Sequence, residues 1–211
     1  MIMKKLKLVV IVVVITVIVL IALLYWIGSK EEKKSSLSNN ANLTNSSTNT
    51  STKFPNTFKD DNLGLSVAYP ADWEYTQTNA STVVFSGKAN TEAYYSTVNV
   101  QSITSKKAGG KYATTEEVMN SLKTQFLTAP QAKVIEEGTT TLTQVDGTEY
   151  SGKYLIVTYL YENQPTKEEQ KVFARKDGLG FYAWAYTSPA DQYDKYFPIA
   201  KSMLEQIHLA K

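Results

Sequence analysis

The stretch of the chain that decides its fold is GLSVAYPADW, residues 64–73. Leu65, Val67 and Tyr69 alternate with smaller residues, and this two-residue period is that of a strand with one buried face. Pro70 follows immediately, and it ends the strand because proline has no backbone N–H to donate. The stretch therefore predicts a short β-strand whose larger side chains share one face.

The sequence that follows predicts further strands. β-Branched and aromatic residues are concentrated in residues 83–85, 98–103, 139–145, 148–161, 168–176 and 179–187. Asp146-Gly147 is typical of a two-residue hairpin turn, and Asp177-Gly178 predicts a second turn. Gly152 lies inside one of the runs and predicts a β-bulge. About seven strands joined mostly by short turns predict an antiparallel sheet.

Two amphipathic helices accompany these strands. Thr114 and Glu117 have the spacing of a capping box at the start of the first helix. Its apolar residues recur at helical spacing, at Val118, Met119, Leu122 and Phe126. The second is predicted to begin at Ser188-Pro189, since proline suits the first helical position. Its apolar stripe consists of Tyr193, Phe197, Ala200, Leu204 and Ile207. Each stripe needs a sheet face to cover it, so the predicted fold class is α+β, with a central antiparallel sheet sandwiched by helices.

The opening motif also carries a family resemblance. Phe58-Lys-Asp60 followed by Gly64-Leu-Ser-Val-Ala-Tyr69-Pro70-Ala-Asp-Trp73 resembles the start of PsbP-like domains, and the later order of strands and helices is similar over residues 54–211. The resemblance implies an α-β-α sandwich and a role in assembly, stabilisation or partner binding without catalysis. The chain looks most like membrane-anchored prokaryotic members of the family. No site residues are implied, because the histidine-based metal contacts of the photosystem subunit have no counterpart here.

Residues 8–27 form a run of twenty amino acids without a charge. A helix of that length spans about 30 Å, the thickness of a bilayer's hydrocarbon core. The run is longer than the apolar region of a cleaved signal peptide, and it ends in Tyr25 and Trp26, which suit the membrane interface. An uncleaved anchor in the lipid bilayer is therefore favoured over a cleaved signal peptide or a buried helix of a soluble protein.

The segment after this run predicts which side of the membrane the domain occupies. Three lysines precede the run and three follow it closely, so lysine counts alone leave the orientation tied. Residues 28–53 are predicted to form a flexible linker, since 15 of the 18 residues from 35 to 52 are Ser, Thr or Asn. This composition resembles glycosylated stalks of cell surfaces. We therefore expect residues 1–7 to be cytoplasmic and the domain at 54–211 to be extracellular.

Four sequons accompany this prediction, and they give candidate glycosylation sites at Asn42, Asn45, Asn49 and Asn79. Three of the five Asn residues between 35 and 52 begin a sequon. In a tract this rich in Ser and Thr, chance alone gives about that many.

Composition argues against several classes of function. Residues 54–211 carry 15 Lys and Arg against 18 Asp and Glu, a net charge of −3, and no basic cluster of the kind that binds nucleic acid. With 0 Cys, the chain has no disulfides, thiolate zinc sites or cysteine nucleophiles. Its single histidine, His208, is predicted on the last turn of the final helix, which is a poor position for a catalytic base.

Tyrosine is the unusual component of the sequence, with 14 in the chain. Tyr182, Trp184 and Tyr186 alternate onto one face of a predicted strand, and Tyr159 and Tyr161 are expected to extend that face. Either these rings cover the sheet beneath a helix, or they form an exposed aromatic face that binds a protein or glycan partner. The second interpretation requires the three rings to be exposed.

Three classes of function stay open. The leading one is a tethered surface domain that binds or stabilises other envelope proteins. The second is a small-ligand or metal-binding module, which needs a concave site. The third is a hydrolase, which needs an activated Ser or Asp that the sequence does not display. We expect no catalytic residues, no cofactor and no metal site.

Overall fold

The computed structural model describes residues 54–209, which form two antiparallel sheets and two α-helices. The strands are β1 (Asn56–Asp60), β2 (Leu65–Tyr69), β3 (Trp73–Asn79), β4 (Thr82–Gly87), β5 (Thr97–Thr104), β6 (Lys133–Thr143), β7 (Glu149–Tyr161), β8 (Gln164–Ala174), β9 (Gly180–Pro189) and β10 (His208–Leu209). The helices are α1 (Thr115–Phe126) and α2 (Tyr193–Glu205). The large sheet has the order β3-β4-β5-β9-β8-β7-β6, and the small sheet has the order β1-β2-β10.

The opening motif forms β2, as predicted, and β2 is the middle strand of the small sheet. Leu65 and Val67 are buried and Pro70 ends the strand. The sequence did not predict a second sheet. It arises because the opening strands pair with one another and with the two-residue β10, which comes about 140 residues later.

Strand β9 divides the interior into two cores, because its successive side chains enter opposite faces of the large sheet. Phe181 and Ala183 join the core under α1, and we call this side the α1 face. Tyr182, Trp184 and Tyr186 join the core under α2 and the small sheet, and we call this side the α2 face. Helices on opposite faces of an antiparallel sheet give the sandwich that the sequence predicted.

The predicted start of α1 is confirmed in detail. The Thr114 hydroxyl accepts a hydrogen bond from the Glu117 N–H at 3.1 Å, and the Glu117 carboxylate accepts one from the Ala113 N–H at 2.7 Å. The first bond satisfies an N–H group that the first turn of a helix leaves without a partner, and the second holds the residue before the cap against that turn. Val118 and Met119 are the buried residues of the helix.

The predicted start of α2 at Ser188-Pro189 is wrong. Pro189 still pairs with Thr166 as the last residue of β9, and the buried Ser188 hydroxyl lies 2.8 Å from that of Ser96. These contacts extend the strand, so the helix begins at Tyr193. At the other end, His208 is not helical but pairs with Ser66 in the small sheet.

The turn at Asp146-Gly147 is longer than predicted. The Gln144 N–H donates to the Thr148 carbonyl at 2.8 Å, so three residues form the loop rather than two. Gly147 has a φ of +79°, the left-handed conformation that such a loop requires at its third position. Gly178 is also left-handed, with a φ of +71°, in the four-residue loop that the bond from the Arg175 N–H to the Gly180 carbonyl closes between β8 and β9.

The bulge predicted at Gly152 is absent, and the glycine has another role. Gly152 pairs in continuous register with Thr140 and with Phe173, whereas the register shift of β6 lies between Val134 and Glu136. A Cβ at position 152 would lie 2.4 Å from the Val172 carbonyl oxygen and 2.7 Å from the Phe173 ring. Glycine is therefore required because the neighbouring strand approaches so closely.

Several predicted features lie outside the described residues, namely segments 1–7, 8–27 and 28–53 and the sequons at Asn42, Asn45 and Asn49. Between residues 54 and 209, no helix is both long and apolar enough to cross a membrane. Asn79 is exposed at the turn between β3 and β4, where its side-chain oxygen accepts hydrogen bonds from the N–H and hydroxyl of Ser81, each at 2.8 Å.

The close approach at Gly152 predicts the effect of adding a methyl group. We expect Gly152→Ala to lower the free energy of unfolding by about 1–3 kcal/mol, since the added carbon forces the Phe173 ring or the β8 backbone to shift. Urea denaturation measures the change, with the exposed neighbour Ser151→Ala as a control that changes stability little. Equal stability of the two variants would contradict the close approach.

Candidate partner-binding surface

The three aromatic residues predicted as a partner-binding face are buried. Tyr182, Trp184 and Tyr186 have exposures of 1%, 2% and 0%. The Tyr182 hydroxyl donates to the Gly64 carbonyl at 2.7 Å, and the Tyr186 hydroxyl donates to the Tyr193 carbonyl at 2.9 Å. The rings therefore hold the small sheet and α2 onto the large sheet. The exposed-face interpretation of these residues is wrong because both elements cover them.

Tyr159 and Tyr161 do not extend that face either. Tyr159 packs against the core under α1, where its ring lies 5.9 Å from the ring of Phe126. By strand alternation, Tyr161 shares the α1 face with Tyr159. Period-two spacing identifies which residues of one strand share a face, but it does not relate the faces of two different strands.

Exposed aromatic rings lie instead around the edge strand β3. Tyr75 and Tyr95 are 47% and 51% exposed, and Tyr69 and Tyr94 are half-buried beside them. The Tyr75 ring lies 5.9 Å from that of Tyr69, and the Tyr94 ring lies 5.3 Å from that of Tyr95. We call these two tyrosine pairs, which lie on and beside the edge strand β3, the aromatic edge. Edge-on ring contacts hold each pair in a defined geometry while one ring of each pair stays accessible.

The aromatic edge rests on the core beneath it. The Tyr75 ring makes an edge contact with buried Phe58 at 4.9 Å, and the Tyr69 ring lies 5.4 Å from buried Phe85. Tyr94 and Tyr95 belong to a 3₁₀ turn, Glu92–Tyr95, that follows β4. The Lys195 ammonium of α2 forms an ion pair with Glu92 in that turn. Contacts from β1, β4 and α2 therefore position the four rings.

The half-buried tyrosines of the aromatic edge, Tyr69 and Tyr94, have raised pKa values. Burial is the main cause that raises the pKa of the Tyr69 hydroxyl, and the neighbouring Tyr75 raises it further. Burial, the neighbouring Tyr95 and the negative charge of Glu74 raise the pKa of Tyr94. These hydroxyls keep their protons in the physiological range and present an apolar ring with a polar tip, the combination that is enriched at protein interfaces.

Little in the sequence indicates this surface. Strand β3 consists of the residues WEYTQTN and was not predicted as a strand, because its residues are mostly polar. It is an edge strand, so residues from Glu74 to Gln77 are exposed to solvent. A strand at the edge of a sheet needs less apolar surface than a central one.

A buried carboxyl group lies on the α1 face, away from the aromatic edge. The Glu168 carboxylate accepts hydrogen bonds from the Tyr159 hydroxyl at 2.7 Å and the Gln170 amide at 2.6 Å, and it also bonds with the Thr187 side chain. Burial raises the pKa of Glu168, although these donors favour its charged form. Both oxygens are hydrogen-bonded, so the group connects β7, β8 and β9 instead of facing a substrate site.

In the acidic loop after β1, the Asp60 carboxylate also has its hydrogen-bond partners within the protein. Asp60 accepts hydrogen bonds from the N–H groups of Asn62 and Leu63, and its second oxygen accepts one from the Gln77 amide at 2.9 Å. The Leu63 and Gln77 bonds are the main causes that hold the pKa of Asp60 below its ordinary value. Within residues 54–209, no three Asp, Glu or His side chains cluster as metal ligands would.

A groove lies between the C-terminal half of α2 and strand β6. Its volume is about 270 Å³, slightly below the range of about 300–1,000 Å³ that is typical of small-molecule sites. Residues on both sides line it, including Thr140, Leu142, Lys171, Phe173, Lys201 and Leu204. It is a surface depression next to an edge of the large sheet.

Comparison with known proteins supports the fold. The sequence over residues 8–197 matches the profile of a family described as PsbP-like protein. Among solved structures, the chain is similar to cyanobacterial PsbP (CyanoP) from Synechocystis sp. PCC 6803, with a TM-score of 0.51 and 14% identity over 78% of this chain and 98% of that one. At this identity the likeness establishes the fold alone.

Two further structures are more distant. LpqN, involved in cell envelope biogenesis of Mycobacterium tuberculosis, has a TM-score of 0.49 and 14% identity over 70% of this chain and 83% of that one. A protein from Bacteroides thetaiotaomicron has a TM-score of 0.47 and 12% identity over 74% of this chain, which spans 48% of that longer protein. No curated protein matches the sequence.

Because Glu168 is buried, the stability of the domain should depend on pH. Because its pKa is raised above 4.5 in the folded state, the folded protein binds this proton more tightly than the unfolded chain does. The contribution of Glu168 to stability is therefore greatest below pH 4.5 and falls as the pH rises through its folded pKa. As the pH rises above 4.5, the wild type loses this contribution and Glu168→Gln does not. We therefore expect the free energy of unfolding of Glu168→Gln to rise relative to that of the wild type.

Urea titrations from about pH 4 to about pH 8 measure this difference. The variant Glu149→Gln, which replaces an exposed carboxylate on β7, is the control and should show no such gain. The effect of burial would be contradicted if the difference in free energy of unfolding between Glu168→Gln and the wild type stayed constant with pH.

Proposed function

Because the chain belongs to the PsbP-like protein family, we propose that it is a non-catalytic binding factor that assembles or stabilises other proteins of the cell envelope. The aromatic edge is the observation that carries this proposal. Tyr75 and Tyr95 are exposed yet held by ring contacts, so binding a partner costs them little side-chain entropy. Aromatic anchors of this kind contribute much of the binding energy at protein interfaces.

The polar groups of the domain are consistent with binding rather than reaction. Glu168 and Asp60 have their oxygens occupied by donors from the protein itself. His208 is exposed in the two-residue β10, with Ser66 as its strand partner. General acid–base catalysis needs a group that can reach a substrate proton, and the carboxylates of Glu168 and Asp60 are already held by internal hydrogen bonds.

Membrane attachment is part of the proposal. The uncharged run at 8–27 is long enough to span a bilayer, and the Ser/Thr/Asn-rich residues 28–53 provide a hydrated linker. A tether of this kind confines the domain near the extracellular membrane surface. Confinement raises the effective concentration of other membrane-bound proteins, so a modest interface is sufficient for association.

The anchor is tested by placing charge within it. We expect the full chain to remain in the membrane fraction after an alkaline wash. The double variant Val14→Lys and Thr16→Lys should appear in the soluble fraction, since each lysine at the centre of a span costs about 2.5–3.5 kcal/mol. Val14→Leu with Thr16→Leu is the matched control and should stay with the membrane. Release of the wild-type chain by the wash would contradict the anchor.

The aromatic edge is tested by photo-cross-linking in native membranes. A benzoylphenylalanine probe at Tyr75 or Tyr95 of the full chain should give the same covalent adduct with an envelope protein. A probe at Leu127 is the control, since that side chain is equally exposed at 51% but lies after α1. An equal yield from position 127, or no adduct from either tyrosine position, would contradict a partner at the aromatic edge.

A further inference from the structure

The edge of the large sheet opposite the aromatic edge is formed by β6, whose second half is unprotected. Its last six residues, 138–143, are GTTTLT and contain neither charge nor proline. Thr139, Thr141 and Thr143 are exposed. Natural sheets usually protect an edge strand with charges, prolines or bulges. Strand β3 at the other edge has such protection, with Glu74 and a register shift between Gln77 and Asn79.

Backbone geometry shows which groups of β6 face outward. The Gln144 N–H donates to the Thr148 carbonyl on the β7 side of the hairpin at 2.8 Å. In an antiparallel pair, the N–H and C=O of alternate residues point to the same side. Those of Thr143, Thr141 and Thr139 therefore point away from β7, toward a place that another strand can occupy.

We propose that this place is taken by β6 of a second copy of the chain, antiparallel, with Thr140 on the two-fold axis. Thr139 of each copy then lies opposite Thr141 of the other, so the outward N–H and C=O groups of one copy face those of the other and can bond with them. The interface is isologous, as in most homodimers, and the two large sheets become one continuous sheet. Self-association of this kind goes beyond the proposed binding of envelope proteins, because it uses the opposite edge.

Apolar exposure and charge favour antiparallel pairing about Thr140. Ile135 and Val145 are 57% and 80% exposed, the highest values among large apolar side chains of residues 54–209. Ile135 lies at the register shift near the start of β6 and Val145 lies in the loop just after it, so antiparallel pairing about Thr140 brings the Ile135 end of one copy toward the Val145 end of the other. Pairing about Thr141 instead brings Glu136 of one copy toward Asp146 in the loop of the other, and like charges close to each other are unfavourable.

The absence of cysteine from the sequence allows a direct test of this register. In the proposed dimer, the two Thr140 residues form a non-hydrogen-bonded pair with Cα atoms about 4.5 Å apart, within the range that a disulfide spans. Full-length Thr140→Cys in its native membrane should therefore form a covalent dimer on mild oxidation, seen at twice the monomer mass without reductant. Thr76→Cys, which is exposed on the other edge strand, should stay monomeric.

A second substitution tests whether the strand edge causes the pairing. Thr141→Pro removes an outward N–H, so adding it to Thr140→Cys should abolish the cross-link without breaking a bond to β7. Thr141→Lys, which adds charge at the edge without constraining the backbone, should have the same effect if the proline variant is unstable. Thermal unfolding should show that the lysine variant retains the stability of the parent.

The outcomes are distinct. A covalent dimer at position 140 that both Thr141 variants remove supports the proposal. The proposal is overturned if Thr140→Cys stays monomeric, if Thr76→Cys cross-links equally well, or if position 140 is linked to a different protein. Persistence of the cross-link in Thr141→Lys would also overturn it, because the pairing would then not depend on this edge.

Discussion

Burial of strand β9 on both faces is the constraint on which the rest of the domain depends. Its α2 face carries three large rings and its α1 face carries Phe181 with two alanines. The rings fill the space under α2 and the small sheet. The Tyr182 hydroxyl donates to the carbonyl of Gly64, just before β2, and the Tyr186 hydroxyl donates to that of Tyr193 in α2. The strand thus fixes the separation of the layers. Because aromatic pairs and hydroxyl bonds are directional, it also fixes how α2 and the small sheet are placed.

Much of this architecture follows from local sequence. The capping pair Thr114 and Glu117 identified the start of α1, and alternation in residues 65–69 identified β2. Both signals are short-range, since each depends on neighbours within one turn or one strand. The antiparallel sheet with a helix on each face followed from adding these elements together.

The features that the sequence did not indicate depend on contacts between distant residues. Whether Tyr182 is exposed depends on Gly64, which lies 118 positions earlier in the chain. Whether Ser188 caps a helix or ends a strand depends on Ser96, 92 positions away. The sequence favours a bulge at Gly152, since the closeness of β8 cannot be inferred from one strand alone. The aromatic edge gives no clear signal in the sequence for a related reason, since a polar edge strand lacks the periodic apolar pattern that identifies a central one.

The small sheet has a consequence for the time course of folding. Leu65 in the opening motif pairs with Leu209, 144 residues later, and the Tyr150 hydroxyl donates to the Leu209 carbonyl at 3.2 Å. During synthesis, β10 is the last of the described strands to emerge, so the inner face of β2 stays incompletely covered until then. Contacts of such long sequence separation slow folding because a long loop must close first. The core of the domain is therefore completed late, only after the strand that contains Leu209 has left the ribosome.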